Sequence, residues 1–209
     1  MFAKRPGWYT RLIPRGVVQR RSRSRVLLTF DDGPHPVHTP AVLAKLHEYD
    51  LKAVFFLVGN RVERAPHVVK QIVEAGHAIG NHTYSHTRWP MLAGHQIWRD
   101  IAKCQRVVTE IGGVRPTVFR PPFGRVTPGI LASAWSQRMR VMNWSLDSGD
   151  WQCRSEADAE TCATEVIELI QPDDIVLFHD DHEYTARILD RVLSEIKRCK
   201  PKFGSEQVV

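Results

Sequence analysis

From residue 25 onward the chain repeats one pattern: a short run of apolar residues, a turn, then a longer segment with helical spacing. The runs RVLLTF, KAVFFLV, HAIGNH, TVFRPPF, RVMNWSL and DIVLFHD alternate with TPAVLAKLHEYD, APHVVKQIVEAG, GHQIWRDIAKCQRVVTEIG, PGILASAWSQR, SEADAETCATEVIELI and TARILDRVLSEIKR. Strands that are apolar on both faces are buried on both, and strict alternation with helices implies parallel pairing. Roughly six or seven such units can form an open doubly wound sheet or close into a barrel. Polar residues separate the two options, because Asp31-Asp32, His82, Arg120, Asp147 and His179 each fall at or just after the end of a run. A barrel gathers all those ends at one mouth, whereas an open sheet gathers only those near its switch point, so the pattern favours an α/β barrel of the TIM type with its site at the C-terminal ends of the strands.

Charge is distributed unevenly. The formal net charge is +6, yet residues 1–30 hold eight Lys/Arg and no Asp/Glu, leaving 21 basic against 23 acidic side chains in the rest. A chain of 209 residues with 43% hydrophobic content suits one domain. The expected organisation is a basic N-terminal arm over 1–24 and a catalytic domain over 25–209. The arm mixes Arg with Trp8, Tyr9, Leu12 and Ile13, so it reads either as a solvated arm lying loosely on the body or as a peripheral contact with anionic membrane. Since the body carries no basic excess, no nucleic-acid partner is expected. There is no h-region of a signal peptide and no apolar stretch approaching ~18 residues, which gives a cytoplasmic expectation, with the inner membrane face as the surface the arm would reach. Cys104, Cys153, Cys162 and Cys199 lack zinc-ribbon spacing and read as free thiols, with pairing of Cys153 and Cys162 left open.

Two stretches carry chemistry. In Asn81-His82-Thr83-Tyr84-Ser85-His86 the imidazoles stand at i and i+4, which on a helical turn would face one side and could hold one metal. A carboxylate from Asp31 or Asp32 could complete a set of two histidines and one carboxylate with open positions. Neighbours at a strand end point to different sides, so the two aspartates need not share a task. Their mutual repulsion is tolerable beside cations, for which a metal and Arg120 would serve. The alternative is a DDGP turn in which Asp caps the next helix.

The ordered motifs TFDDGP, HTYSH, FRPPFG, DSGDW and LFH closely resemble those of polysaccharide deacetylases, the NodB-homology domain of carbohydrate esterase family 4, over roughly residues 25–197. The resemblance implies a distorted (β/α)7 barrel removing acetyl groups from N-acetylated, sometimes O-acetylated, sugars with one divalent metal, usually zinc. Carried over by position, Asp32, His82 and His86 are the metal ligands and Asp31 the base that deprotonates a metal-bound water. Arg120 orients Asp31, His179 is the general acid, and Asp150 tunes it. Phe123, standing where tyrosine is common, offers its backbone N–H to the oxyanion, and Trp151 and Leu177 wall the acetyl pocket. Of the remaining aromatic and histidine residues, Trp89, Trp144 and Tyr84 could stack on sugar rings or pack as walls, His35 and His38 could line the rim, and the LxH register selects His179 over His182. Two other readings stay open: a deacylase of a lipid-linked sugar or non-sugar amide, and a catalytically silent carbohydrate-binding barrel. The intact residue set argues against silence.

Overall fold

The computed structural model describes residues 1–5, 17–18, 26–87 and 94–199. Its strands are β1 Val17–Val18, β2 Leu27–Asp31, β3 Val54–Leu57, β4 Ala78–Asn81, β5 Val118–Phe119, β6 Arg140–Met142, β7 Leu146–Asp147 and β8 Ile175–His179. Interleaved helices are α1 His38–Glu48, α2 Gly59–Arg64, α3 Pro66–Glu74, α4 Gly94–Gly112, α5 Pro128–Ser136, α6 Glu156–Leu169 and α7 Thr185–Cys199. All strands pair in parallel in the order β1-β6-β5-β4-β3-β2-β8-β7. Seven of them form the curled, distorted (β/α)7 barrel, and two-residue β1 is added on its β6 edge.

Alternation along each strand divides the core. Leu27, Val54, Val118, Met142 and Ile175 fill the barrel interior together with Phe56. The residues between them, Leu28, Phe30, Phe55, Leu57, Val176 and Phe178, face the helices, where Val42, Leu46, Val69, Ile72, Ile188 and Val192 cover them. Each inward row climbs from an apolar floor to a polar rim: Leu27, Thr29 and Asp31 on β2, and Ile175, Leu177 and His179 on β8, with Asp31 in register with His179. Gly80 is inward-facing on β4, where an added Cβ would lie 2.4 Å from the Phe56 ring, so glycine makes room for the aromatic floor beneath the site.

Helix starts follow local chemistry. Thr127 accepts a hydrogen bond from Ile130 N–H ahead of Pro128, and Ser155 accepts one from Asp158 N–H. RVMNWSL, read as one run, is two strands. Its start pairs with β5 as β6 and its end pairs with β8 as β7, so the chain crosses the open seam of the barrel between Met142 and Leu146. Helix α2 was not expected at all, since GNRVER is short and lacks a capping side chain.

The described part of the N-terminal segment is packed, contrary to a loosely held solvated arm. Ala3 is fully buried, Lys4 bridges to Asp147 on β7, and β1 pairs with β6, so its two described pieces flank the same seam. Trp8, Tyr9, Leu12 and Ile13 lie outside the described residues. No described helix is long and apolar enough to cross a membrane.

Candidate active site at the barrel mouth

Strand ends bring the motif residues together. Asp31 closes β2, His82 follows β4, Arg120 follows β5, and His179 closes β8. Pro121 and Pro122 have no N–H, so the ladder stops directly after Arg120, whose own N–H donates to Asn81 O.

Three ligand-bearing atoms converge. Oxygen Oδ1 of Asp32 lies 3.5 Å from His82 Nε2 and 3.1 Å from His86 Nε2, and the three residues together form a group able to hold a metal. Oδ1 is buried, and no hydrogen bond satisfies it among the described residues. The His82 Nδ1 lies 2.7 Å from the Arg120 carbonyl oxygen. A carbonyl only accepts, so Nδ1 carries the proton and Nε2 presents its lone pair, which is the tautomer a metal requires. An orphaned carboxylate oxygen and imidazole nitrogens facing it fit a divalent ion of borderline softness. Burial raises the Asp32 pKa, but His82, His86 and His179 outweigh it and hold the group below the usual carboxylate range.

The histidine pair does not sit on a helix. Residues 82–87 form a loop in which Thr83 and His86 have φ of 67° and 51°. The loop is pinned on several sides: Asn81 Oδ1 accepts from Thr83 N–H, Thr83 Oγ1 from His86 N–H, and the carbonyls of Thr83 and Tyr84 accept from Gly59 and Asn60 N–H at the start of α2. The missed helix is thus what holds the histidine loop.

Asp31 and Asp32 also depart from simple alternation. Asp32 has φ 71°, which breaks the pleat and turns both carboxylates toward His82, with Asp31 Oδ2 3.6 Å from its Nε2. Arg120 distinguishes them. Its Nη1 donates to Asp31 Oδ1 at 2.7 Å and to Thr29 Oγ1 at 2.8 Å, its Nε to Met142 O, and its Nη2 to Asn143 O. The guanidinium is fully buried, 4.1 Å above the Phe56 ring. Burial lowers its pKa and Asp31 opposes that. Neither aspartate caps a helix: α1 starts after Val37, and His35 Nδ1 accepts from Val37 and His38 N–H. His35 stacks on His38 and serves the helix start.

Opposite the histidine pair, His179 Nδ1 lies 2.8 Å from Asp150 Oδ1. Asp150 is fully buried and also accepts from the N–H groups of Trp151 and His179 and the hydroxyls of Ser148 and Thr185. Burial alone would lower the His179 pKa; Asp150, and beyond it Asp32 and Asp31, raise it to about 10. Burial raises Asp150 and His179 overrides it, holding the carboxyl below its ordinary range. His182 instead faces Arg154.

Around this core Phe123, with φ 60°, is 53% exposed and its ring is 5.1 Å from that of His86, while Trp151 is 46% exposed. Leu177 is buried on β8 between Thr29 and Asp147. Trp144 is half-buried against Gly124 and Arg120. Tyr84 has its hydroxyl donating to Glu63 and its ring covered by Lys103, contacts that match the wall-packing alternative. Trp89 lies outside the described residues. Cys153 and Cys162 are buried and free. Thr29, Ser148 and Thr185 were not singled out from the sequence; their hydroxyls complete the Arg120 and Asp150 networks.

Comparison with known proteins places the chain among relatives of one family. The model of the polysaccharide deacetylase family matches residues 19–142. A peptidoglycan-N-acetylglucosamine deacetylase of Bacillus cereus is 33% identical over 186 residues, covering 87% of this chain and 66% of its own length, so the chain spans just under two thirds of that relative. A chitooligosaccharide deacetylase of Azorhizobium caulinodans is 35% identical over 163 residues, covering 77% of this chain and 75% of that one. Among solved structures, a carbohydrate esterase family 4 pseudoenzyme from Bacillus anthracis superposes with a TM-score of 0.82 at 26% identity, covering 90% of this chain and 66% of the other. With the family model matching over half its length and the five motifs meeting at one barrel mouth, the chain belongs to the polysaccharide deacetylase family of carbohydrate esterase family 4.

Proposed function

We propose that the protein is a metal-dependent deacetylase of N-acetylated oligo- or polysaccharide. The observation that carries the reading is the meeting, at one barrel mouth, of a two-histidine, one-aspartate group with two separately buttressed proton carriers, Asp31–Arg120 and His179–Asp150. Asp32, His82 and His86 would hold one divalent ion, zinc being the ion best suited to the donor set. When bound, such an ion supplies Lewis acidity and makes water acidic enough to react near neutral pH.

Asp31 takes the proton of the attacking water. Arg120 fixes the carboxylate through Oδ1, which leaves Oδ2 turned to the His82 side where the proton arrives. Attack converts the planar acetyl carbon into a tetrahedral centre, and the backbone N–H of Phe123 donates to the oxygen that gains charge there. Collapse expels the sugar amine, a poor leaving group unless protonated. His179 gives it a proton from Nε2, since Nδ1 is committed to Asp150. Trp151 and Leu177 wall the acetyl methyl.

Peptidoglycan and chitin-like oligomers are the first substrates to test, because the relatives carry those names. Purified protein, stripped of metal and then reloaded with zinc, is assayed for acetate release from peptidoglycan fragments, chitin oligomers and acetylated xylan. Zinc-dependent acetate from an N-acetylated glycan supports the reading. Absence of acetate from all three favours a lipid-linked sugar or non-sugar amide if the protein still cleaves a small acetyl ester, and a silent binding barrel if it does not.

A further inference from the structure

The segment before the barrel is built into the scaffold that carries His179 and Asp150. Phe2 and Ala3 N–H both donate to Glu165 Oε2 on α6, at 2.5 and 2.8 Å. Lys4 exchanges both backbone hydrogen bonds with Asp147 at the end of β7, each 2.9 Å. Arg5 donates to both carboxylate oxygens of Asp174 and to Leu169 O. The Asp174 side chain is fully buried. It also accepts from Ser145 Oγ and Gln171 N–H, while its carbonyl accepts from Leu27 N–H. Three attachments therefore fall on α6, on the end of β7 and on the residue that leads into β8.

Those are the elements from which the acid dyad is suspended. The turn Asp147-Ser148-Gly149-Asp150 follows directly on the Lys4 pairing. Gly149 has φ 72°, and an added Cβ there would lie 2.2 Å from the Phe2 carbonyl oxygen, so the segment roofs the turn at van der Waals contact. Ser148 and Asp150, on either side of that glycine, are hydrogen-bonded to each other, and Asp150 grips His179 through both its Nδ1 and its backbone N–H. Among the described residues, edge strand β7 has no other neighbour on that side in the sheet order. Without Phe2–Arg5 the turn would keep its bonds to β8, to Thr185 on α7 and to Cys162 on α6, and would lose its support on the open side of β7.

We propose that Phe2–Arg5, with Arg5 and Glu165 as their anchors, are positioning residues for the His179–Asp150 acid. The proposal rests on the deacetylase reading for its kinetic consequence. A side chain that must meet the leaving nitrogen within hydrogen-bond reach loses efficiency when its support slackens, and proton donation matters most for the poorest leaving group.

The test uses the full chain carrying Arg5→Ala and Glu165→Ala, the two single variants serving if the double does not fold. Turnover of an N-acetyl chitin oligomer is expected to fall about tenfold, part of the ~10²–10⁴-fold that a general acid contributes, with KM and zinc content unchanged. Hydrolysis of 4-nitrophenyl acetate, whose leaving group needs no proton, is expected to change by less than about twofold. Arg5→Lys and Glu165→Gln, which keep a donor and an acceptor, should restore the amide rate. Amide and ester rates falling together, or neither falling, overturns the proposal. If the intact chain releases no acetate, the deacetylase reading fails, and hydrogen exchange then decides the clamp by itself: the Trp151 and His179 amides, both bonded to Asp150, should exchange faster in the variant, and unchanged protection overturns it.

Discussion

Replacing Arg120 by Met removes the only charge bonded directly to Asp31 among the described residues and ought to be a folding defect before it is a catalytic one. The guanidinium is fully buried and makes four hydrogen bonds, to Asp31, Thr29, Met142 O and Asn143 O. Methionine preserves much of the volume over Phe56 but strips the nearly buried Asp31 carboxylate of its hydrogen-bonded cation, leaving His82 Nε2 at 3.6 Å beside it, and strands the Met142 and Asn143 carbonyls without their donor. Breaking a buried ion pair from one side costs about 3–5 kcal/mol. Taking about 4 kcal/mol and roughly 2–4 °C per kcal/mol for a domain of this size, the melting temperature should fall by about 8–16 °C. The penalty lies in the stranded charge, so Asp31→Asn in the Arg120→Met background should recover stability, with a coupling of about 1–3 kcal/mol. Thermal melts followed by circular dichroism on metal-free protein measure the cycle, and acetate release on reloaded protein follows the catalytic side. A double variant whose loss is the sum of the two single losses, or an Arg120→Met protein that melts within about 2 °C of the parent, would refute the reasoning.

Further outcomes follow from the same geometry. Asp32→Ala should lose zinc, measured by elemental analysis, together with activity, whereas Asp31→Asn should keep stoichiometric zinc and lose most turnover because an amide cannot accept a proton; the reverse pattern would exchange the two assignments. His179→Ala should cut amide turnover by about 10²–10⁴-fold with zinc retained, and an activated acetyl ester should suffer much less. The His179 pKa is raised from 6.5 to about 10 in the fold, so stability from the Asp150 pair is fully present below about 6.5 and is lost as pH rises through about 10. The alkaline limb of turnover should move to lower pH in Asp150→Asn, because the charge that raises the His179 pKa is gone, read from a pH–rate profile. Burial pushes the Asp180 carboxyl up to about 7, and its Oδ1 has no hydrogen-bond partner among the described residues, so its stability contribution is lost as pH rises through about 7. Asp180→Asn should therefore melt higher than the parent at pH 8 and no higher at pH 4, compared by thermal denaturation.

The barrel was legible because its strands are buried on both faces and end in charge. LLTFD and IVLFH run from apolar floor to ionisable rim within five residues each, a gradient that only a strand opening on a polar mouth explains. Less legible were features without a periodic signature. The six residues of α2 open on Gly59 with no capping side chain and are too short for apolar spacing, while the break in RVMNWSL depends on which neighbours each half finds across the seam. Thr29, Ser148 and Thr185 are ordinary hydroxyl residues, and nothing in their spacing marks them as partners of Arg120 and Asp150. The N-terminal segment misled through composition: Lys4 and Arg5 look like part of a solvated basic tract, but Arg5 finds its carboxylate 169 residues away, at Asp174.

The histidine pair is where local and global requirements conflict. Spacing of i and i+4 suggests a helical turn, yet on a helix both imidazoles would project from one rod beside the strand ends, while the third ligand belongs to a different strand. The loop instead reverses twice, at Thr83 and His86, and Asp32 and Phe123 share the left-handed conformation, so among the described residues four of the seven non-glycine positions with positive φ stand at the mouth. Each costs of order 1–3 kcal/mol and persists only where the surroundings over-determine it. For the β-branched Thr83 that conformation is least tolerable, and there the constraints are densest: its N–H, carbonyl and hydroxyl are all hydrogen-bonded, to Asn81, Gly59 and His86. Such expense has no return in packing, since His86 and Phe123 remain partly exposed to solvent. What it achieves is to bring His82, His86 and Asp32 within one small group able to hold a metal, the arrangement on which the proposed function rests.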